Sequence, residues 1–509
     1  MYPPGIGILE GTRKVMTSKW LRAGLFGLLT GLGWASLGAV PAMAVEGGDT
    51  RPNIVLIMTD DEDLATHAFM PKTRALIEDQ GTVFDNYFVT YSFCCPSRAT
   101  MLTGQYSHNH RIQGNVLPTG GARKFRATGN DRSTIATWLK AAGYRTALIG
   151  KYMNDYEAAE GYVPPGWDEW YAYSHGYYDY VLNENGTPVR YGSTAADYST
   201  DVLAGHATAA IRRAADGTAP FFVVVAPFAP HSPELPAPRH EHLFADAVYP
   251  RPPSFDEEDV SDKPSLVQER DRLAPWQLES IEKVYRGRLA MMQSVDELVE
   301  GVVMTLRETG ELDNTYVIYT SDNGWHMGQH RLFVGKTTAY EEDIRVPFAI
   351  RGPGVPKGLR LDPFVLNNDL APTFAALAGI EPPDFVDGRS FLPLLQDPAQ
   401  PWRQSFAIER RQRETMEIVG AASFQAVRTA DWTYVEYFNG ERELYDLRSD
   451  PEQMVNVVTT AEPLLLDQLS RRLAELANCA AQNCRDVEDL PLTPVVASSG
   501  GDLPTVVKQ

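Results

Sequence analysis

Four strand-like runs, each apolar over most of its length, constrain this chain most: Asn53-Ile54-Val55-Leu56-Ile57-Met58, Tyr144 to Ile149, Phe221-Phe222-Val223-Val224-Val225-Ala226 and Thr315-Tyr316-Val317-Ile318-Tyr319-Thr320. A run that is apolar at successive positions suits a strand covered on both faces, as inside a parallel sheet. Helical signals fall between the runs, over Met70 to Gln80, Ser133 to Ala142 and Pro275 to Glu308, the last with one or two breaks expected. This alternation predicts an α/β fold with a doubly wound, mainly parallel sheet. Each run also ends in residues able to do chemistry: Asp60-Asp61, Lys151, His231 and Asp322-Asn323. The carboxyl edge of such a sheet is where α/β proteins place their sites.

The remaining segments fill in around that frame. A further strand is expected near Val83 to Val89, and another at Pro347-Phe348-Ala349-Ile350 before a Gly-Pro-Gly turn. Aromatic-rich irregular sequence runs from Tyr162 to Tyr180, and a Pro-rich stretch from Pro236 to Pro264 reads as a long loop of the kind that covers sites. From about Trp402 the pattern changes. Phe424 to Arg428, Trp432 to Tyr437 and Glu443 to Leu447 alternate between turn residues, as antiparallel strands do, and a helix is expected from Pro463 to Asn478. The predicted organisation is a catalytic domain over 50–400, a small antiparallel-sheet subdomain over 401–485 and a flexible tail over 486–509.

A net charge of −20 makes nucleic acid or an anionic membrane a poor partner. Residues 1–44 read as a secretory signal, with Lys19 and Arg22 before an apolar run from Ala23 to Val40, then Ala42-Met43-Ala44, and with Met16 as a candidate natural start. The alternative is an uncleaved membrane anchor, disfavoured by the glycines and the bare sufficiency of length. The expected location is therefore secreted or periplasmic, with no membrane span after cleavage. Of the four cysteines, Cys479 and Cys484 suit a short-loop disulfide in an exported protein. Cys94 and Cys95 are adjacent, which makes a mutual bond strained.

The stretch from Tyr91 to Gly104 contains Cys94-Cys95-Pro96-Ser97-Arg98 followed by Leu102-Thr103-Gly104. It resembles the signature of the type I sulfatases, in which the Cys matching Cys94 is oxidised by a formylglycine-generating enzyme to 3-oxoalanine (formylglycine). The resemblance implies an alkaline-phosphatase-like fold and covers most of Asn53 to Val458. Pro96 fits the first helical position, placing Cys94 at the amino end of a short helix whose dipole favours an anion. Asp60, Asp61, Asp322 and Asn323 are hard oxygen donors that suit Ca²⁺ or Mg²⁺. The resemblance makes them, with Cys94, the metal ligands.

By the same resemblance Arg98, Lys151 and Lys336 bind the nucleophile and sulfate, and His231 protonates the departing alcohol. Tyr106-Ser107-His108-Asn109-His110, Lys151-Tyr152-Met153-Asn154-Asp155-Tyr156 and Trp325-His326-Met327-Gly328-Gln329 are similar to the N-acetylglucosamine-6-sulfatase and extracellular glucosamine-6-endosulfatase branch. Arylsulfatases carry a His where this chain has Met153, so Asn154 is expected to read the sugar, with His108, His110, His326 and His330 as further candidates. The implied substrate is a sulfated sugar, the 6-O-sulfate of glucosamine or N-acetylglucosamine, and the acidic balance favours chain ends over internal sites. An arylsulfatase of other specificity and a phosphonate or phosphate monoester hydrolase remain alternatives.

Overall fold

The computed structural model describes residues 49–411 and 423–492. The expected signal segment 1–44 and the end of the expected tail lie outside the described residues. At the centre, five strands run parallel in the order Thr315–Ser321, Asn53–Thr59, Phe221–Ala226, Arg145–Lys151, Glu169–Tyr173. Antiparallel pairings continue the sheet at both sides, through Phe348–Arg351 on one and Val181–Glu184 with Thr187–Arg190 on the other, for ten strands in all.

Successive side chains of a strand point to opposite faces, and here both faces are covered. Ile54, Leu56, Phe222, Val224 and Ile318 pack under Leu139, Leu370 and Phe374. Val55, Ile57, Val223, Val225 and Val317 pack under the helices Ser199–Ala215 and Pro275–Glu308. The apolar runs are therefore two-sided strands, as their composition requires.

Several expectations need correction. Pro275–Glu308 is one uninterrupted helix of 34 residues. Its Gly287 is a point of close approach, since a Cβ there would lie 2.6 Å from the Glu234 Cβ. The Tyr162 to Tyr180 segment is only partly irregular, because Glu169–Tyr173 pairs with Arg145–Lys151. The strand expected over Val83 to Val89 is two short strands, Thr82–Phe84 and Tyr87–Phe88, in different sheets. The helix expected over Met70 to Gln80 divides into Pro71–Thr73 and a π-helical turn, Arg74–Glu78.

The carboxyl-terminal part forms a separate four-stranded antiparallel sheet, ordered Ser405–Arg410, Phe424–Thr429, Trp432–Tyr437, Arg442–Asp446, covered by the helix Pro463–Leu476. Cys479 and Cys484 are disulfide-bonded. The stretch expected as a tail from residue 486 is ordered at its start, because Gln482–Asp489 is a helix with Glu488 fully buried; residues past 492 lie outside the described residues.

Candidate active site

Three strands of the central parallel set deliver the charged groups. Asp60 and Asp61 follow Asn53–Thr59, Asp322 and Asn323 follow Thr315–Ser321, and Lys151 closes Arg145–Lys151. Asp61 takes a left-handed backbone, φ 67°, which Asp tolerates better than most residues. Its N–H then donates to Asp322 Oδ1 at 3.1 Å, tying the two strand exits together.

Helix Cys94–Thr103 aims its amino end at this edge. Cys94 is its first residue and Pro96 the third, not the first as the sequence reading has it; the missing Pro N–H still falls among those without an intrahelical partner. Ser97 donates to the Asp322 carbonyl and accepts from Asn367 Nδ2 at 3.0 Å, fixing the first turn. Gly104, at φ 70°, closes the helix in the left-handed conformation that glycine adopts without strain.

Cys94 Sγ lies 3.6 Å from Asp60 Oδ1 and 2.8 Å from Lys336 Nζ. Lys151 pairs with Asp60, and Lys336 with Asp61. Arg98 donates through Nε to Asp322 Oδ2 and through Nη1 to the Lys151 carbonyl, both at 2.7 Å. His231 Nε2 stands 3.6 Å from Asp61 Oδ2, while its Nδ1 donates to the Ser232 carbonyl at 2.7 Å. Every expected group of the core constellation is thus at one place, and Asp60, Asp61 and Asp322 are essentially inaccessible.

Burial opposes the charge on Asp60 and Asp61, but the surrounding cations outweigh it. Lys151 and His231 lead at Asp60, Lys336 and His231 at Asp61, and both carboxyls are held below their ordinary value. Burial and the neighbouring Asp60 push Asp322 the other way. Burial also pushes the Cys94 thiol up to about 11, so the unmodified side chain is a weak nucleophile near neutral pH.

Asp61 Oδ2, Asn323 Oδ1 and Arg98 Nη2 are buried without a hydrogen-bond partner. Buried polar atoms are rarely left so. Two oxygens of that kind, beside Asp60 and Cys94, fit a hard divalent cation, and ligand atoms of Asp60, Asp61, Cys94 and His231 all lie within 4.8 Å of one another. The free guanidinium nitrogen fits an anionic oxygen.

The outlying candidates separate. Asn154 packs beside the site, its N–H 3.1 Å from Cys95 Sγ. His326 borders it, with Nδ1 2.9 Å from Asp343 and its ring against Gly335, next to Lys336. His330 is fully buried, bonded to Glu257 at 2.8 Å and stacked on Tyr340; this corrects its expected place against substrate. His108 pairs with Glu409 of the carboxyl-terminal sheet, and His110 bonds Thr100 of the helix Cys94–Thr103 at 3.0 Å, so each braces a neighbouring element.

Sequence reading missed Arg288. It is buried on the long helix, and its guanidinium donates to the Asp61 carbonyl, to Asp63 Oδ2 at 2.8 Å and to the Pro230 carbonyl at 3.2 Å. It therefore locks the loops carrying Asp61 and His231 to each other. An arginine between Tyr285 and Leu289 on the apolar face was the available signal. Phe228 was also missed, stacked on His231 at 4.5 Å and 5.4 Å from Lys151 Nζ.

Behind Asp61, His67 is bonded on both sides, 2.7 Å from Glu62 and from Glu78. Burial disfavours its charge, yet the two carboxylates raise it to about 9. A raised folded value stabilises the fold fully below the ordinary His range and loses that contribution as pH rises through about 9. The free energy of unfolding should therefore fall between pH ~6.5 and ~9, by at most ~3 kcal/mol from this residue. The difference between the two pH values should shrink in His67→Gln; an unchanged difference would contradict the paired imidazolium.

The model described as Sulfatase matches residues 52–380, and that described as N-sulphoglucosamine sulphohydrolase, C-terminal, matches residues 328–479. Human N-acetylglucosamine-6-sulfatase is 34% identical over 489 residues, covering 88% of each chain. The putative extracellular sulfatase Sulf-1 homolog of Caenorhabditis elegans is 39% identical over 71% of this chain. This chain spans 53% of that relative's length, and 34% of the Drosophila melanogaster extracellular sulfatase SULF-1 homolog, which is 41% identical over 72% of this chain. A solved structure in complex with its substrate D-glucosamine-2-N,6-O-disulfate superposes with a TM-score of 0.73 at 26% identity, covering 86% of this chain and 99% of that one. With the Cys94 helix, carboxylate edge and paired lysines set as described, and with a family model matched over most of its length, the chain belongs to the sulfatase family.

Proposed function

We propose that the protein is an exported sulfatase that hydrolyses the 6-O-sulfate of glucosamine or N-acetylglucosamine residues, with Cys94 matured to formylglycine and a Ca²⁺ or Mg²⁺ ion held by Asp60, Asp61, Asp322 and Asn323. The observation that carries this reading is the convergence of three cationic side chains and the acidic group on Cys94 Sγ at a helix amino terminus. The hydrated aldehyde would supply a hydroxyl for attack at sulfur and a second one whose collapse frees the enzyme. The cation would polarise a sulfate oxygen.

The chain's own residues do the rest. Lys151, Lys336 and the free Nη2 of Arg98 bind the sulfate oxygens and offset the charge that grows on them. Asp322 orients Arg98, and Phe93 and Trp325 flank Lys336 at 5.6 and 5.9 Å from Nζ. His231, protonated at Nδ1 by its bond to the Ser232 carbonyl, presents Nε2 to the alkoxide side and delivers a proton there when charged. Support for the sugar comes from the human relative's name and from the superposed complex. Support for export comes from the names of the extracellular relatives; no described helix is long and apolar enough to cross a membrane.

The test is sulfate release from glucosamine-6-sulfate and N-acetylglucosamine-6-sulfate against an aryl sulfate and a phosphonate monoester. Faster release from the aryl sulfate, or turnover of the phosphonate alone, would replace the reading. Chelation should remove activity and lower the melting temperature, because three buried carboxylates lose their cation. Ca²⁺ should restore both better than Zn²⁺; activity and melting temperature indifferent to chelation would exclude the ion.

A further inference from the structure

His231 sits in a segment whose main chain is held from several sides. Pro230 and Pro233 have no N–H to offer, so carbonyls carry much of its hydrogen bonding. The carbonyls from Phe228 to His231 are all taken. Phe228 accepts from the His231 N–H at 3.0 Å, and Ala229 from the Asp60 N–H at 3.3 Å. Pro230 accepts from Arg288 Nη1 at 3.2 Å, and His231 from the Tyr177 hydroxyl. The His231 ring is fixed as well, by its 4.5 Å stack on Phe228 and by its Nδ1 bond to the Ser232 carbonyl.

Two of the anchors from outside the segment also serve the carboxylate edge. Asp60 is part of that edge, and Arg288 also donates to the Asp61 carbonyl and to Asp63. Tyr177 is different. Its hydroxyl reaches the His231 carbonyl and, at 3.4 Å, the Phe228 carbonyl, and its ring lies 5.1 Å from that of Phe228. The side chain is 2% exposed, and burial pushes its phenol well above the ordinary value, so it remains a donor. Its backbone is rooted elsewhere: the Tyr177 carbonyl accepts from the Ser199 N–H at 3.0 Å, where the helix Ser199–Ala215 begins, and its ring stacks on Tyr198 at 5.8 Å. A buried hydroxyl needs an acceptor. Here the acceptor is the main chain of the residue that faces the leaving group.

We propose that Tyr177 is a positioning residue for the reaction: by tying the His231 carbonyl to the helix Ser199–Ala215, it keeps Nε2 aimed at the departing oxygen. The inference rests on the proposed sulfatase activity, with His231 as proton donor, and adds the group that orients that donor. The step served is transfer of the Nε2 proton to the sugar oxygen as the sulfur–oxygen bond breaks, which leaves a neutral imidazole. Without the hydroxyl, the peptide after His231 loses this anchor, and a small displacement of a proton donor is costly because transfer requires hydrogen-bond reach. Lys151, Lys336 and Arg98 do not bond Tyr177, so sulfate binding should persist.

The experiment is a double-mutant cycle on glucosamine-6-sulfate with Tyr177→Phe and His231→Ala, read as kcat and KM. Tyr177→Phe should lower kcat by about five- to thirtyfold, part of the roughly 10²–10⁴-fold that a general acid supplies, with KM changed by less than about twofold. In the His231→Ala background the same substitution should change kcat by less than about twofold, because no donor remains to be aimed. On an aryl sulfate, whose phenolate leaves with little need of a proton, the loss caused by Tyr177→Phe should be correspondingly smaller. Melting temperature monitors the fold of each variant. A loss of equal size in both backgrounds or on both esters marks a merely structural tyrosine and overturns the inference, as does undiminished turnover by folded Tyr177→Phe; each leaves the sulfatase reading in place. No sulfate release from the sugar by the native protein removes both.

Discussion

Cys94→Ala is expected to reduce sulfate release by on the order of 10⁴-fold or more, while leaving the melting temperature close to that of the native protein. The argument is geometric. Among the groups brought together at the carboxyl edge, Asp60, Asp61 and Asp322 are occupied by Lys151, Lys336 and Arg98, and Cys94 is the side chain they surround. Removing it leaves Lys151, Lys336 and Arg98, the proposed sulfate-binding cations, in place with nothing to attack, so substrate affinity should survive better than turnover. Cys94→Ser keeps one hydroxyl but lacks the second oxygen, and should also fail to turn over repeatedly. Mass spectrometry of exported protein should find the modification at Cys94 and a free thiol at Cys95, whose Sγ is enclosed by Asn154 and Asn115. Full activity from protein carrying an unmodified Cys94 thiol would end the mechanism.

The largest expected effect on stability belongs to Arg403, well away from the chemistry. Its side chain is fully enclosed and forms two bonds to Asp369, one of 2.8 Å, and one of 3.0 Å to Glu488. Glu488 in turn accepts from the Tyr106 hydroxyl at 2.6 Å. The cluster joins the carboxyl-terminal sheet and its last helix to the turn Asn367–Asp369, and Asn367 holds Ser97 of the helix Cys94–Thr103. Arg403→Met fills similar space but leaves the buried Asp369 carboxylate without its ionic partner and Glu488 with Arg389 alone. Breaking a buried pair in this way costs roughly 3–5 kcal/mol, seen as a lower denaturant midpoint. Arg448→Ala, which removes an exposed pair with Asp446, should leave the midpoint in place and serves as the comparison. An equal midpoint for native and Arg403→Met protein would show that the cluster contributes nothing net.

Much of this was legible in the sequence because two-sided strands have an unmistakable composition. Ile54 to Met58 and Phe221 to Ala226 are buried at every position, so no other element accommodates them. Once the strands are placed, Asp60, Lys151, His231 and Asp322 fall at their exits by chain connectivity alone. The misses share a cause in tertiary packing. Glu169–Tyr173 reads as irregular because its aromatic residues are chosen for ring contacts, such as Trp170 against Tyr152 at 5.1 Å, and not for alternation. Gly287 looks like a helix break but is a contact with Glu234. Glu488 looks like tail charge until Arg403, 85 residues earlier, is brought against it. His330 carries no local mark that separates a packed imidazole from a ligand-facing one.

Asp60, Asp61, Asp322 and Lys151 are borne by strand ends and Arg98 by the helix Cys94–Thr103, whereas two groups of the same constellation are borne by connections: Lys336 by the segment beyond a two-stranded ribbon and His231 by the loop after Phe221–Ala226. An insertion or exchange in any of these connections alters what is presented to a substrate without moving Asp60, Asp322 or Arg98. Selection experiments that randomise the loop after Phe221–Ala226, beyond His231, should therefore recover active variants with altered preferences at far higher frequency than those that randomise the strand ends.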